Sequence, residues 1–193
     1  MKVNRIYSRH EEEIDVRELN VGDSVQIPEF TVPETAVAGN RKLHCGEQAV
    51  KDTATVYDIK DDKVYLVFDH ALFSSPMDLN NATEWKRTQL HDYLSGPFKN
   101  SMQGFGIPVS KVSLLSKDVV FGEKALPFFK NGRNRIAFIK DESRSVWYWL
   151  KNVSSASRFC YASDLGDAYC NAASVASSFV RPCLVVNTKQ QDN

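Results

Sequence analysis

The chain has 193 residues, 42% hydrophobic and 11% aromatic, enough to bury one core and too apolar for disorder. Its 24 Lys+Arg balance 24 Asp+Glu, so no overall basic field draws it to a phosphate backbone and no nucleic-acid partner is expected. No apolar run reaches bilayer length, and the start, Met1 to Tyr7 followed by Arg9-His10-Glu11-Glu12-Glu13, lacks the apolar centre of a signal peptide. Neither a leader nor membrane insertion is therefore expected. Cytoplasmic synthesis follows, with export inside a phage particle as one destination.

Residues 1–20 read as a polar arm that packs on something or leads into the fold, with Ile14, Val16 and Leu19 as its regular apolar positions after Tyr7. Asn20-Val21-Gly22-Asp23 signals a turn, and residues 24–27 a short strand. Residues 28–46, with two prolines, two glycines and little periodicity, read as a long surface loop. Residues 53–59 and 64–68 are β-prone and flank the polar break Lys60-Asp61-Asp62-Lys63, which predicts a hairpin at the centre of a sheet.

Asn81-Ala82-Thr83-Glu84 has the spacing of a helix start, with Trp85, Leu90, Tyr93 and Leu94 on one face and Ser95-Gly96-Pro97 as the stop. A second helical turn is predicted over 98–105, a strand or buried segment over 111–115, and irregular chain over 119–134. Short β-prone pieces at 146–150, 158–162, 168–171 and 180–186 complete the pattern. One helical region among short antiparallel strands and long loops is an α+β domain.

Cys45, Cys160, Cys170 and Cys183 include no C-x-x-C pair and no His at metal spacing, so free buried thiols are expected and neither zinc nor another cofactor. Asp164 and Asp167 are too few to imply calcium. His10, His44, His70 and His91 are scattered, and separation alone supports no Ser/His/Asp arrangement.

Residues 154–180 stand apart. They contain no Lys, Glu, Gln, Met or Trp, and small residues alternate with Tyr, Phe, Arg, Asp and Asn. Tyr provides contact area at low entropic cost and Ser and Asn provide adaptable hydrogen bonds, which is the composition of a paratope. The plain alternative is a solvated loop. The five missing residue types are those that substitution at the adenines of an Asn codon cannot reach.

The block Trp147-Tyr148-Trp149-Leu150-Lys151-Asn152-Val153, followed later by Phe179-Val180-Arg181-Pro182, resembles the W-W-L-R-[NS]-V … G-V-R-P frame of the variable proteins of diversity-generating retroelements. Those are bacterial and phage proteins with a C-type-lectin fold related to formylglycine-generating enzymes. The early hairpin at 54–69, the helix bearing Trp85, Leu90, Tyr93 and Leu94, and Val112-Ser113-Leu114-Leu115-Ser116 are also similar to the family pattern. The resemblance spans about residues 20–186, with Lys151 in place of Arg and Phe179 in place of Gly.

The resemblance implies a C-type-lectin-like domain over 21–186, between the arm at 1–20 and a polar tail at 187–193. Within its variable segment, 154–180, it implies frame positions at Ala156, Ser157, Phe159, Gly166, Ala168, Ala173 and Ser174. It implies displayed, ligand-binding positions at Arg158, Tyr161, Ser163, Asp164, Leu165, Asp167, Tyr169, Asn171, Ala172, Val175 and Ser178, with Phe179 as a further displayed aromatic. Trp147 and Trp149 alternate onto one strand face and are expected in the core.

The function expected is a receptor or adhesin gripping a protein or glycan on a target surface, without catalysis. The alternatives are a structural phage-tail or assembly component, for which the arm and tail would be contacts and a homo-oligomer an expected form, and a cysteine-dependent oxidase using Cys160 and Cys170. The oxidase is the weaker, since Arg158 is the only cation near those thiols in sequence.

Overall fold

The computed structural model describes residues 2–7, 10–37, 41–44 and 46–188. The first strands are β1 (Lys2–Tyr7), β2 (His10–Asp15), β3 (Ser24–Val32), β4 (Thr35–Val37), β5 (Arg41–His44), β6 (Gln48–Lys60), β7 (Lys63–Phe68), β8 (His70–Ala71) and β9 (Phe73–Ser74). Helices α1 (Gln89–Tyr93) and α2 (Lys99–Gly104) lead to β10 (Val109–Ser113), α3 (Lys117–Val120) and α4 (Pro127–Lys130). The chain ends through β11 (Ala137–Ile139), β12 (Ser145–Val146), β13 (Tyr148–Ser155), β14 (Arg158–Ala162), β15 (Ala168–Ala172), β16 (Phe179–Val180) and β17 (Cys183–Asn187). The class is α+β, built mostly of antiparallel sheet with few helices. None of the described helices is long and apolar enough to cross a membrane.

The largest sheet has seven strands in the order β10-β17-β7-β6-β3-β1-β2, and the second has five in the order β15-β14-β13-β16-β9. The predicted hairpin is β6–β7, near the middle of the first sheet. Asp61 and Asp62 at its tip take φ of 51° and 57°, the left-handed pair of a two-residue hairpin turn.

Side-chain alternation divides the interior. Val64, Leu66, Phe68, Leu184 and Val186 face one cluster with Phe30, Phe98 and Trp149. Val67 and Cys183 face a second cluster with Tyr57, Phe129, Tyr148 and Leu150. In the second sheet β13 and β14 are buried on both faces: Trp149 and Phe159 belong to the first cluster, and Tyr148, Leu150, Cys160 and Ala162 to the second.

Several expectations change, among them the irregular chain over 119–134, which holds α4 and the end of α3. The arm is a hairpin: β1 and β2 pair along their length, β1 joins β3 at Arg5↔Val25 and Ile6↔Ser24, and Ile14, Val16 and Leu19 are core. The segment read as a loop continues β3 to Val32 and adds the β4–β5 ribbon. A register shift between Ile27 and Phe30 takes up Pro28 and Glu29, so Phe30 and Val32 still point inward.

The helix does not start at Asn81. That residue has φ 58°, and the buried Asp78 carboxylate accepts from the backbone N–H groups of Asn80, Ala82 and Gln89. Thr88 is the cap, its hydroxyl accepting from His91 N at 3.1 Å. Nor does Pro97 stop it: the backbone widens to π spacing over Leu94–Phe98, which accommodates a residue without N–H, and runs on into α2.

The segment predicted as one strand over 180–186 is two. β16 pairs with β9 and β13, whereas β17 pairs with β7 and β10, and Arg181-Pro182 carries the chain between sheets. Of the predicted tail, Asn187 ends β17 and Thr188 bonds Asp62 O through its N–H and hydroxyl at 2.8 and 2.9 Å. Residues 189–193 and Cys45 lie outside the described residues.

Candidate functional site

The site lies at the outer end of the second sheet, where the double burial of β13 and β14 gives way to the edge strand β15. β14 and β15 pair without interruption from Arg158↔Ala172 to Ala162↔Ala168. Residues directly opposite share a face, so Phe159, Tyr161, Tyr169 and Asn171 lie on one side and Arg158, Cys160, Cys170 and Ala172 on the other.

On the first side the aromatic rings form a ladder. Tyr161 meets Trp149 at 6.5 Å between ring centroids, Trp147 at 5.0 Å, and Tyr169 at 5.9 Å with the last pair stacked at 27°. The ladder starts in the core, since Trp149 is fully buried and donates from Nε1 to Ser75 O at 2.9 Å. It ends in solvent at Tyr169, 56% exposed. Burial first, then the neighbouring Tyr169, Cys170 and Asp164 groups, raises the Tyr161 phenol above its ordinary pKa, so it is a neutral hydrogen-bond donor at neutral pH.

The turn from β14 to β15 adds the carboxylates. Ser163 is buried, and its hydroxyl accepts from Leu165 N at 3.2 Å and Asp167 N at 3.0 Å. Gly166, at φ +83°, donates to Ser163 O at 3.0 Å. A Cβ there would stand 3.3 Å from Gly132 O, so the turn is seated against the loop before β11. A rigid base thus pushes Asp164, Asp167 and Leu165 (77% exposed) outward. Trp147, Tyr161, Ser163, Asp164, Leu165, Asp167 and Tyr169 together line a shallow cleft of about 300 Å³. The lining has aromatic faces, one aliphatic side chain and two carboxylates, and no cation.

Six of the twelve predicted displayed positions meet here: Tyr161, Ser163, Asp164, Leu165, Asp167 and Tyr169. The other six do not. Ser178 is fully buried, Val175 packs on the first cluster, and Phe179, with Tyr148 as its β13 partner, packs on the second.

Arg158 and Asn171 serve the sheet edge. The bonds Ser163 N→Asp167 O and Ala173 N→Ser157 O, both 2.8 Å, bracket the β14–β15 ladder, which leaves even-numbered β15 residues with backbone groups directed outward. Arg158 Nη2 donates to the outward Cys170 O at 3.1 Å, and Asn171 Oδ1 accepts from the outward Ala172 N at 2.9 Å. Ala172 O accepts from Val175 N at 3.2 Å. These contacts blunt an edge that could otherwise pair with another strand.

Among the frame positions, Phe159 and Ala173 are fully buried and Gly166 is buried, Ser157 and Ala168 are half-buried, and Ala156 (φ 41°) and Ser174 are exposed. Sequence reasoning missed Trp147. Like Trp149 it contacts Tyr161, but it is half-buried and forms a wall of the cleft. Its place just before β13, at the end of the strand, was the available signal.

The frame residues around the site are structural. Arg181 is 4% exposed, donates from Nε to Phe68 O at 2.7 Å and from Nη1 to Asn134 O at 3.1 Å, and lies 5.4 Å from the Tyr148 ring centroid. Asn152 Oδ1 accepts from Lys117 N at 2.6 Å, and Lys151 N donates to Leu115 O at 3.0 Å, tying β13 to α3. A larger concavity of about 970 Å³ lies beside the N-terminal hairpin, lined by aliphatic residues such as Val16, Ile27 and Leu184. None of the predicted site residues lines it. Among the described residues, no three His, Cys, Asp or Glu side chains are grouped to hold a metal ion.

A family model described as a domain of unknown function, DUF6273, matches residues 109–188, from the start of β10 to just beyond β17. The whole cleft falls inside that span. No curated protein matches, and no solved structure matches.

Proposed function

We propose that the chain is a receptor- or adhesin-type binding protein on a C-type-lectin-like fold, with a face diversified by retroelement mutagenesis that grips a protein or glycan on a target surface. The observation that carries this reading is the cleft of Trp147, Tyr161, Asp164, Leu165, Asp167 and Tyr169, in which solvent-facing side chains stand on a turn and strand fixed by buried Ser163, Gly166 and Phe159. A binding surface needs rigid aromatic anchors ringed by polar groups, and that is the chemistry of the lining.

Binding is favoured over catalysis by the same residues. The cleft contains carboxylates, phenols, an indole and the Ser163 hydroxyl, and that hydroxyl is buried and engaged by the Leu165 and Asp167 backbone N–H groups. Cys160 and Cys170 point to the opposite side of β14 and β15 from the rings, away from the cleft. The displayed set is narrower than the resemblance implies, consisting of Tyr161, Asp164, Leu165, Asp167 and Tyr169 of the cleft.

The experiment is to sequence the DNA around the coding region. A near-copy of the part encoding 154–180, with Asn codons at Tyr161, Asp164, Leu165, Asp167 and Tyr169 and a reverse-transcriptase gene alongside, is the expected result. A locus with neither the second copy nor the reverse transcriptase overturns the diversification reading.

A further inference from the structure

Cys160 on β14 and Cys170 on β15 are direct cross-strand partners, and both thiols are free. The bonds Ser163 N→Asp167 O and Ala173 N→Ser157 O flank an unbroken ladder, so hydrogen-bonded pairs fall at odd-numbered residues and Cys160↔Cys170 is a non-hydrogen-bonded pair. At such positions in antiparallel sheet, Cα atoms stand about 4.5 Å apart and side chains approach most closely. That separation lies within the roughly 4.4–6.8 Å that a disulfide spans.

The two thiols have different surroundings. Cys160 is buried in the second core cluster, and burial pushes its thiol up. Cys170 is half-buried; the Ser154 hydroxyl, then the Arg158 side chain, holds its thiol below the ordinary value. Arg158 is kept there by its bond to Cys170 O. An accessible sulfur whose thiolate is stabilised by the Ser154 hydroxyl and Arg158 therefore sits opposite a sheltered partner, the arrangement of an attacking and a resolving cysteine.

We propose that Cys160 and Cys170 are a peroxide-oxidisable pair that closes into a disulfide, stapling the edge strand β15 to β14. The Cys170 thiolate attacks one oxygen of hydrogen peroxide and the O–O bond breaks. Cys170 becomes a sulfenic acid, and the other oxygen leaves as water with the proton the thiol released. The Cys160 sulfur then attacks the Cys170 sulfur, the S–O bond breaks, and the departing hydroxide takes the Cys160 proton as a second water. Two thiols and one peroxide give one disulfide and two waters, a two-electron oxidation of the protein. The step does not depend on what the cleft binds.

The test uses the full chain, reduced, desalted, exposed to one equivalent of hydrogen peroxide, quenched with N-ethylmaleimide and mapped by mass spectrometry after proteolysis. The expected result is loss of two alkylatable thiols and a Cys160–Cys170 linked peptide that dithiothreitol reverses. In Cys160→Ala, Cys170 has no partner and is trapped by dimedone as a sulfenic-acid adduct. The proposal is overturned if Cys160 and Cys170 stay fully alkylatable after treatment. A linkage to Cys45, to Cys183 or to a second chain in place of the Cys160–Cys170 bridge overturns it equally.

Discussion

Tyr161 stacks on Tyr169 at 5.9 Å while its other side meets Trp149 at 6.5 Å and 87°, so one ring joins a fully buried indole to an exposed phenol. The joining ring is held on both sides and the outer one on a single side. Tyr169→Ala should therefore cost less than about 1 kcal/mol of folding stability, and Tyr161→Ala about 2 kcal/mol. Urea unfolding of both variants measures the difference.

Ser163 and Ser178 are a sharper pair, because the family resemblance implied the same displayed role for each. The Ser163 hydroxyl accepts two backbone N–H groups of the turn, so Ser163→Ala should destabilise by about 1 kcal/mol. The Ser178 hydroxyl is buried without a hydrogen-bond partner among the described residues. Ser178→Ala should be neutral or stabilising, and Ser178→Phe should cost about 1–3 kcal/mol through overpacking. Melting temperatures of the three variants, in that order of sign, check the assignment.

Arg181 holds the crossing between the sheets. Arg181→Ala removes the donors of Phe68 O and Asn134 O and should cost on the order of 3 kcal/mol. Arg181→Lys keeps the charge, but one ammonium does not reproduce the planar fork that spans both carbonyls, so recovery should be partial. Equilibrium denaturation of the wild type and both variants gives the order.

Asp15 gives the N-terminal hairpin a pH dependence. Its carboxylate accepts from the Arg17 side chain at 2.8 and 3.0 Å and from Arg17 N at 2.9 Å. The Arg17 side-chain bonds first, and its backbone N–H second, hold the carboxyl well below the usual carboxylate range. A folded pKa below the unfolded value of about 3.9 means the contribution is complete above that pH and is lost as pH falls towards the folded pKa. The stability difference between wild type and Asp15→Asn should be flat from about pH 7 to about pH 5 and shrink below about pH 4. Denaturation midpoints across that range test it.

The β6–β7 hairpin was legible because a polar two-residue tip and dense β-branched flanks are purely local signals. β14 and β15 were legible from β-prone pieces at 158–162 and 168–171, whereas the piece at 146–150 is divided between β12 and β13, and β13 runs on to Ser155. What could not be read depended on partners distant in sequence. Asn81 is an ordinary helix cap until Asp78 claims the neighbouring N–H groups, and Pro97 is a stop unless the backbone can widen. The N-terminal hairpin is mostly polar on its outer face, and only its docking on β3 shows why Ile14, Val16 and Leu19 are apolar.

In the site, composition marked out the segment 154–180 and the family resemblance implied the displayed positions within it, but neither separates a displayed serine from a buried one. Arg158 and Asn171, implied as displayed positions, also cap outward backbone groups of β15, which depends on a strand direction the sequence does not state. Trp147 was obscured by its resemblance to Trp149, since strand alternation assigns a face and leaves depth unspecified.

The most direct test of the diversified cleft is to sequence the stretch encoding 147–186 in many independent clones of this locus. A diversified face predicts substitutions concentrated at Tyr161, Asp164, Leu165, Asp167 and Tyr169, while Phe159, Ser163, Gly166, Ala173, Ser178 and Arg181 stay unchanged. Invariance at those five cleft positions, or substitutions spread evenly over cleft and buried residues alike, would contradict it.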